Sequence, residues 1–392
     1  MNTPTPQWWN NLPDDYYRHA VPTHLDSKFP LKVHGSAAMD RILRTGLATM
    51  VSSALSPMLV FPGLRERELE KAGFYGDLAA KGDPSAVFMP PPANVIIHKT
   101  ASPALGYHPS VPHHGLHFTS PYETLNPAVR DSYNSYEANR QVSAQHWTHP
   151  GGPRPTMIFI HGYFASPYWL NSLMFSLKWF YDQGLDIVLV TQPFHGARQP
   201  SASPWSGFHF LSHGLCHANE AMLQSVFDVR VLMNHLYATG VPAIGVSGLS
   251  LGGYITALLA NADERLAFAI PNSPMVSPVD MLLEWTPSGS LLRQLIPTSG
   301  RTVPDFRRLL AIHSPLSWQP VIDPRRLLVI GGAGDRFTAP RYVQLLHKHW
   351  TGSRMHWFPG NHVLHLHQRR YLKLMRDFIG QSLGDMVERN PE

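Results

Sequence analysis

The feature that most restricts the fold of this chain is a series of short apolar runs that alternate with segments of helical periodicity. An uninterrupted apolar run is typical of a strand that is buried on both faces of a sheet. Apolar residues recur at helical intervals between Leu170 and Leu177, over 221–237 and over 372–379. This alternation predicts a doubly wound, mostly parallel α/β sheet of about eight strands. The segments assigned to strands are GLHFTS (115–120), NRQVSAQHW (139–147), TMIFI (156–160), DIVLV (186–190), AIGV (243–246), LAFAI (266–270), RLLVI (326–330) and MHWFP (355–359).

The regular alternation divides the chain into two predicted parts. Residues 1–112 are interpreted as an N-terminal extension, with helices near 36–56 and 65–80 followed by a Pro-rich segment. Residues 113–392 form the predicted α/β domain. Within it, the segment of about 271–320 lies between two predicted strands and must pass over their carboxyl ends, where ligands bind in such sheets.

Composition and charge argue against several classes of protein. Charged residues make up 15% of the chain, and its basic residues are scattered despite a formal net charge of +5. This pattern does not favour nucleic-acid binding. The single cysteine, Cys216, allows no intrachain disulfide, and the N-terminus lacks the basic start and apolar core of a signal peptide. Both observations fit a cytoplasmic protein.

Membrane and metal functions have weak candidates. The apolar run from Leu47 to Phe61 is interrupted by Pro57 and is shorter than the roughly 20 residues of a membrane-spanning helix. A buried helix is therefore favoured over membrane contact. Three clustered histidines could suggest a metal site, but no cysteine or carboxylate accompanies them at ligand spacing. No metal and no other cofactor is predicted. The histidines are His113, His114 and His117.

The stretch VSGLSLGGY contains a serine in a setting with almost no side-chain bulk. Gly248, Ser250 and Gly252 fit the pattern G-x-S-x-G, in which a sharp turn from strand to helix exposes a nucleophilic serine. The alternative is an ordinary turn serine. A serine hydroxyl needs an adjacent base to act as a nucleophile at neutral pH. The later sequence should therefore supply an acid and then a histidine, in that order.

Candidates for the acid and the base follow two later strands. Asp335 lies in the glycine-rich loop after RLLVI, and His362 begins the loop after MHWFP. Asp280 is a rival acid, whereas Asp323 precedes its strand and is interpreted as a cap or turn residue. His365 and His367 are rival bases, although they are expected to begin the last helix.

Stabilisation of a developing oxyanion requires fixed hydrogen-bond donors. The backbone N–H of Leu251, at the start of a predicted helix, is one candidate. The loop HGYFAS supplies the other, with Tyr163 preferred over Phe164. His161 is interpreted as a structural loop residue. His195 and Arg198 could contact substrate, although a structural role in a turn is favoured for both.

With these elements in place, the sequence resembles the α/β-hydrolase superfamily over about residues 115–385. The motifs that carry the resemblance are HGYF, GLSLGG, GGAGDRFTAP and PGNH. The resemblance implies a cap insertion within 271–320, and no cofactor. It also implies the roles of the site residues: Ser250 as nucleophile, Asp335 as acid, His362 as base, and Tyr163 and Leu251 as oxyanion donors.

The predicted function is that of a serine hydrolase that cleaves a carboxylic ester or thioester. The alternatives are an acyltransferase and a non-catalytic binding protein with the same fold. The segment 271–320 is rich in Leu and Met, contains Trp285 and has few charges. Pockets that bind apolar ligands are lined mostly by apolar side chains and contain few polar groups. The substrate is therefore expected to carry an apolar acyl group of short to medium length.

Overall fold

The structure is a computed structural model that describes residues 7–101, 111–164 and 168–389. In these ranges nine strands form one sheet in the order β1-β2-β3-β5-β4-β6-β7-β8-β9. Strands β4 to β9 run parallel to one another, whereas β1, β2 and β3 pair antiparallel at one edge and β3 is also antiparallel to its other neighbour, β5. The strands are His98–Ala101 (β1), His113–Thr119 (β2), Gln141–Trp147 (β3), Thr156–Ile160 (β4), Asp186–Val190 (β5), Ile244–Leu249 (β6), Phe268–Asn272 (β7), Leu328–Gly332 (β8) and Arg354–Phe358 (β9).

Sixteen α-helices accompany the sheet in the described ranges. The first six are Trp8–Asn11 (α1), His24–Lys28 (α2), Pro30–Val60 (α3), Pro62–Lys81 (α4), Arg130–Asn134 (α5) and Glu137–Arg140 (α6). The next five are Tyr168–Met174 (α7), Leu177–Asp182 (α8), Phe208–Leu211 (α9), Gly214–Ala238 (α10) and Leu251–Ala262 (α11). The last five are Pro278–Glu284 (α12), Ser288–Thr298 (α13), Val303–Leu309 (α14), Pro340–His349 (α15) and Gln368–Arg389 (α16).

The predicted α/β class and the mostly parallel sheet are confirmed, with local differences from the expected elements. β1 was not predicted, because its four residues are polar or small and exposed. The helix expected from the periodicity between Leu170 and Leu177 is broken at Ser176, whose φ is 55°. The last helix begins at Gln368, so the expectation that His365 and His367 begin it was wrong. Residues 102–110 of the predicted Pro-rich segment lie outside the described ranges.

The N-terminal segment packs into the same core as the sheet. Trp8 is buried, and its indole N–H donates a hydrogen bond to Ser317 Oγ at 2.9 Å. From α4, the buried Tyr75 hydroxyl donates to Glu220 Oε1 on α10 at 2.7 Å. Apolar residues of α3 and α4 belong to the largest apolar cluster, together with residues of α10 and α11. The segment therefore packs on the helices that lie beside the sheet and shares their apolar core.

Three helices, α12 to α14, connect β7 to β8 in the segment predicted as a cap. A buried ion pair joins α12 to α14, because Arg307 donates to both carboxylate oxygens of Asp280, at 2.6 and 2.9 Å. The same guanidinium also donates to the backbone oxygens of Leu12 and Pro13, each at 2.7 Å. The cap segment and the N-terminal segment are thus joined through Arg307.

The helices of the described ranges include none that combines the length and the apolar character needed to cross a membrane. The run from Leu47 to Phe61 belongs mostly to α3, where Ala48 and Val51 are buried.

Candidate active site

Ser250 occupies a strained turn between β6 and α11. Its φ of 59° and ψ of −116° are unusual for a residue with a side chain, and such strain is concentrated at functional sites. The two flanking positions must be glycine because neighbouring backbone atoms leave no room for a side chain. A Cβ atom at Gly252 would lie 1.9 Å from the Ile160 carbonyl oxygen, and one at Gly248 would lie 2.4 Å from the backbone of Gly252. The turn therefore presses against β4, and only glycine fits at either side of the serine.

Asp335 and His362 form a hydrogen-bonded pair at the ends of β8 and β9. His362 Nδ1 lies 2.8 Å from Asp335 Oδ2. The Asp335 carboxylate is fully buried, and its Oδ1 accepts hydrogen bonds from the backbone N–H groups of Phe337 and Thr338, both at 2.9 Å. The Thr338 hydroxyl donates to Oδ2 at 3.0 Å. These donors fix the carboxylate, and the neutral His362 ring then presents Nε2 as its free acceptor.

The electrostatics of this pair favour charge on both partners. Burial raises the pKa of the Asp335 carboxyl, but the charge and hydrogen bond of His362, together with the hydrogen bonds from neighbouring groups such as the Thr338 N–H, outweigh burial and hold that pKa below its ordinary value. Burial lowers the pKa of His362, but the charge and hydrogen bond of Asp335 outweigh burial and raise it above 6.5. An imidazolium at this position is therefore stabilised, as a general base requires once it has taken a proton.

Ser250 and His362 lie in the wall of one cavity of about 570 Å³. Most of its other wall residues are apolar. The cap segment contributes Met275, Met281, Leu282 and Trp285, and α3 contributes Leu43, Gly46, Leu47, Met50 and Val51. No site residue was predicted in the N-terminal segment. The apolar run after Leu47 was the available signal, but its periodicity could not show which pocket it would face.

The residues predicted around the serine lie in the same cavity wall. They are Tyr163, Phe164, Leu251 and Trp285. Leu251 is the first residue of α11, where backbone N–H groups lack intrahelical acceptors. A Cβ atom at Gly162 would lie 3.5 Å from Ser250 Cβ, so the loop that carries Tyr163 packs directly on the serine. Trp285 donates through its indole N–H to the Phe337 carbonyl at 3.0 Å, and the Phe337 ring stacks on His362.

The structure does not bring His195 and Arg198 to this cavity. Arg198 is fully buried and donates to Asp228 Oδ2 at 2.7 Å and to the Asn139 and Thr191 carbonyls. The guanidinium thus neutralises a buried carboxylate on α10 and has no role left in the cavity. His195 is also fully buried and its Nδ1 lies 2.7 Å from the Pro193 oxygen. The possible substrate contacts of these two residues are therefore corrected to structural contacts.

The rival candidates for the acid and the base have other interaction partners. Asp280 is paired with Arg307, as described above, and Asp323 accepts a hydrogen bond from the Arg325 N–H in a turn. His365 Nδ1 lies 2.8 Å from the Tyr371 hydroxyl. The ring of His367 lies next to Lys32, with Nε2 at 2.8 Å from Nζ.

The other histidines considered in the sequence lie outside the cavity wall that contains Ser250 and His362. His161 Nδ1 lies 2.7 Å from the Gly162 oxygen, and its Nε2 accepts from the Gln192 N–H at 3.0 Å. His113, His114 and His117 all lie on β2. Within the described ranges, no three His, Cys, Asp or Glu side chains converge in a way that could hold a metal ion.

One carboxylate near the pair was missed by the sequence analysis. Asp40, on α3, accepts hydrogen bonds from the backbone N–H groups of His362 and Arg336, both at 2.9 Å. No motif surrounds Asp40 in the sequence, because it acts on backbone groups that any residue carries. Its position was therefore not predictable from its neighbours in the chain.

Comparisons with known proteins agree with this architecture. Residues 113–286 match the sequence family described as alpha/beta hydrolase domain containing 18. The uncharacterized proteins MT2702 and Rv2627c of Mycobacterium tuberculosis are each 28% identical to this chain over 358 residues, which cover 88% of this chain and 81% of theirs.

Solved structures show the same fold. Acetyl xylan esterase 1 from Thermoanaerobacterium sp. JW/SL YS485 aligns with a TM-score of 0.54 and 16% identity, over 79% of this chain and 94% of the esterase. The acetyl xylan esterase from Paenibacillus sp. R4 also aligns with a TM-score of 0.54 and 16% identity, over 77% of this chain and 93% of its own. The chain therefore has the α/β-hydrolase fold, and its residues 113–286 match an α/β-hydrolase family.

Proposed function

We propose that this protein is a serine hydrolase that cleaves a carboxylic ester or thioester through an acyl-enzyme on Ser250. The observation that carries the proposal is the Asp335–His362 pair, with its 2.8 Å hydrogen bond, in the wall of the cavity that also contains the strained serine. The esterase fold of the structural relatives supports hydrolysis as the class of reaction.

In the proposed mechanism, His362 Nε2 takes the proton of the Ser250 hydroxyl as its oxygen attacks the substrate carbonyl. Asp335 stabilises the imidazolium that forms. The backbone N–H groups of Leu251 and Tyr163 donate to the oxyanion of the tetrahedral intermediate. The intermediate then collapses, the bond to the leaving group breaks, and His362 returns the proton to that group. Water repeats these steps on the acyl-enzyme and releases the acid.

The cavity supports an apolar acyl group in the substrate. Each buried methylene contributes about 0.8 kcal/mol to binding. A water molecule occupies about 30 Å³ of liquid and a methylene is of similar size, so 570 Å³ has room for on the order of twenty such groups. We therefore expect specificity to rise with acyl length and to fall once the chain exceeds the cavity.

Labelling with a fluorophosphonate tests the proposal directly. The probe should modify the wild-type protein at one serine, and mass spectrometry should locate the adduct on Ser250. Ser250→Ala should abolish labelling, whereas Ser201→Ala, which changes an exposed serine outside the cavity wall, should not. A wild-type protein that is folded but resists the probe would exclude an activated serine.

A further inference from the structure

Asp40 joins the N-terminal segment to the two loops that carry the acid and the base. One of its oxygens, Oδ2, accepts from the backbone N–H of His362 and from that of Arg336, each at 2.9 Å. Arg336 directly follows Asp335 in the chain. A single carboxylate oxygen therefore sets the distance between the loop after β8 and the loop after β9.

A second contact from α3 strengthens this connection. The Asn361 side chain donates to the Ser36 carbonyl at 2.8 Å, one turn before Asp40. Asp40 itself is fully buried, and among the described residues its Oδ1 has no hydrogen-bond partner. Burying a carboxylate whose hydrogen bonds are only partly satisfied costs free energy. Such a cost is retained where the group has a function, and Asp40 accepts a hydrogen bond from the backbone of the proposed base.

The charge of Asp40 also acts on His362. The titratable groups that face this imidazole are Asp335, Asp40 and His365, and the Phe337 ring covers its face. Burial and the neighbouring Asp335 raise the pKa of Asp40 to about 6, so the carboxyl is mostly ionised at neutral pH. A second negative charge near the ring favours the imidazolium form.

We propose that Asp40 is a positioning residue whose carboxylate fixes the His362 loop against the Asp335 loop and places a second negative charge close to the imidazole. This inference rests on the proposed function, in which His362 is the base. It assigns to the N-terminal segment a direct part in arranging the active site.

Two substitutions separate the two effects. In Asp40→Asn, the amide oxygen can still accept both backbone hydrogen bonds but the charge is lost. We expect this variant to keep most of kcat at alkaline pH and to shift the acid limb of the pH profile to lower pH. Asp40→Ala removes the hydrogen bonds as well, and we expect kcat to fall about 10²-fold with little change in KM, because small misplacements of reacting groups have effects of this size.

Asp77→Asn is the matched control, since it removes a carboxylate of α4 that pairs with Arg308 at the surface. Its kcat and pH profile should equal those of the wild type. NMR titration of the His362 ring, assigned with His362→Gln, measures its pKa without turnover and so tests the inference even if no ester is hydrolysed. An unshifted His362 pKa in Asp40→Asn, or wild-type kcat in folded Asp40→Ala, would overturn the proposal. Turnover that survives in Ser250→Ala would instead overturn the proposed function.

Discussion

At the scale of single residues, the site depends on backbone conformation as much as on side-chain chemistry. Ser250 is held at a positive φ, and Gly252 approaches the Ile160 carbonyl so closely that no side chain fits. The oxygen of Ser250 can be removed without changing this packing, whereas a Cβ added at Gly252 cannot be accommodated.

The first prediction follows from this difference. Ser250→Ala should reduce hydrolysis of a short nitrophenyl ester by about 10³-fold or more, because only binding and the oxyanion donors remain. Circular dichroism and the melting temperature should stay near those of the wild type. Gly252→Ala should lose both activity and stability, since the added methyl group would meet backbone atoms of β4. Near-normal turnover by Ser250→Ala would exclude this serine as the nucleophile.

The second prediction concerns pH. The base must be neutral in the free enzyme, and Asp335 raises the pKa of His362 above 6.5. The value of kcat/KM should therefore be constant at alkaline pH and fall as pH decreases through a midpoint above about 6.5. Asp335→Asn removes the charge that raises this pKa, so the midpoint should move down while the rate falls. His365→Ala serves as the control, and greater damage from it than from His362→Ala would assign the base to His365.

At the scale of elements, the sequence predicted what depends on local pattern. The buried strands could be predicted because their apolar runs are uninterrupted. The turn at Ser250 could be predicted because the backbone leaves no room for side chains at its glycines, which gives a recognisable motif. Contacts between distant elements left no such pattern. The ion pair of Arg198 with Asp228 could not be read from either segment, and Asp40 acts on backbone groups alone.

The third prediction belongs to α3. Gly46 lies in the cavity wall, and a Cβ atom there would meet no other atom within 4 Å. Gly46→Leu should therefore place a side chain at the cavity without disturbing the helix, where leucine is also more favourable than glycine. With nitrophenyl esters from acetate to palmitate, the preferred chain should become shorter than in the wild type. Gly35→Leu, equally unobstructed on the same helix but outside the cavity wall, should leave the preference unchanged. If both variants show the same dependence on acyl length, α3 does not line the acyl-binding site.

At the scale of the whole molecule, the N-terminal segment and the sheet form one packed structure. Trp8 and Tyr75 are buried among residues of the later chain, and Arg307 joins the cap segment to the backbone near Leu12. Removing the N-terminal segment would therefore expose the core that α10 and α14 share with it.

The fourth prediction tests this integration. Trp8→Ala should lower the free energy of unfolding by about 3 kcal/mol or more, because it leaves a cavity and deprives Ser317 Oγ of its donor. Urea unfolding of the full chain measures the change. Trp169→Ala removes an indole that is 44% exposed and should change stability by much less. Equal stability of the two variants would mean that the N-terminal contact contributes little.

The hydrogen bond from His362 to Asp40 joins residues that are 322 positions apart. During synthesis on the ribosome, α3 emerges early, while the loop that contains His362 emerges close to the end. The two backbone groups that donate to the Asp40 carboxylate, those of Arg336 and His362, are both synthesised in the last part of the chain. Contacts of such long sequence separation form slowly and leave apolar surface open to aggregation. The hydrogen bonds of Asp40 can therefore form only after most of the chain has been synthesised, and the candidate active site is completed late.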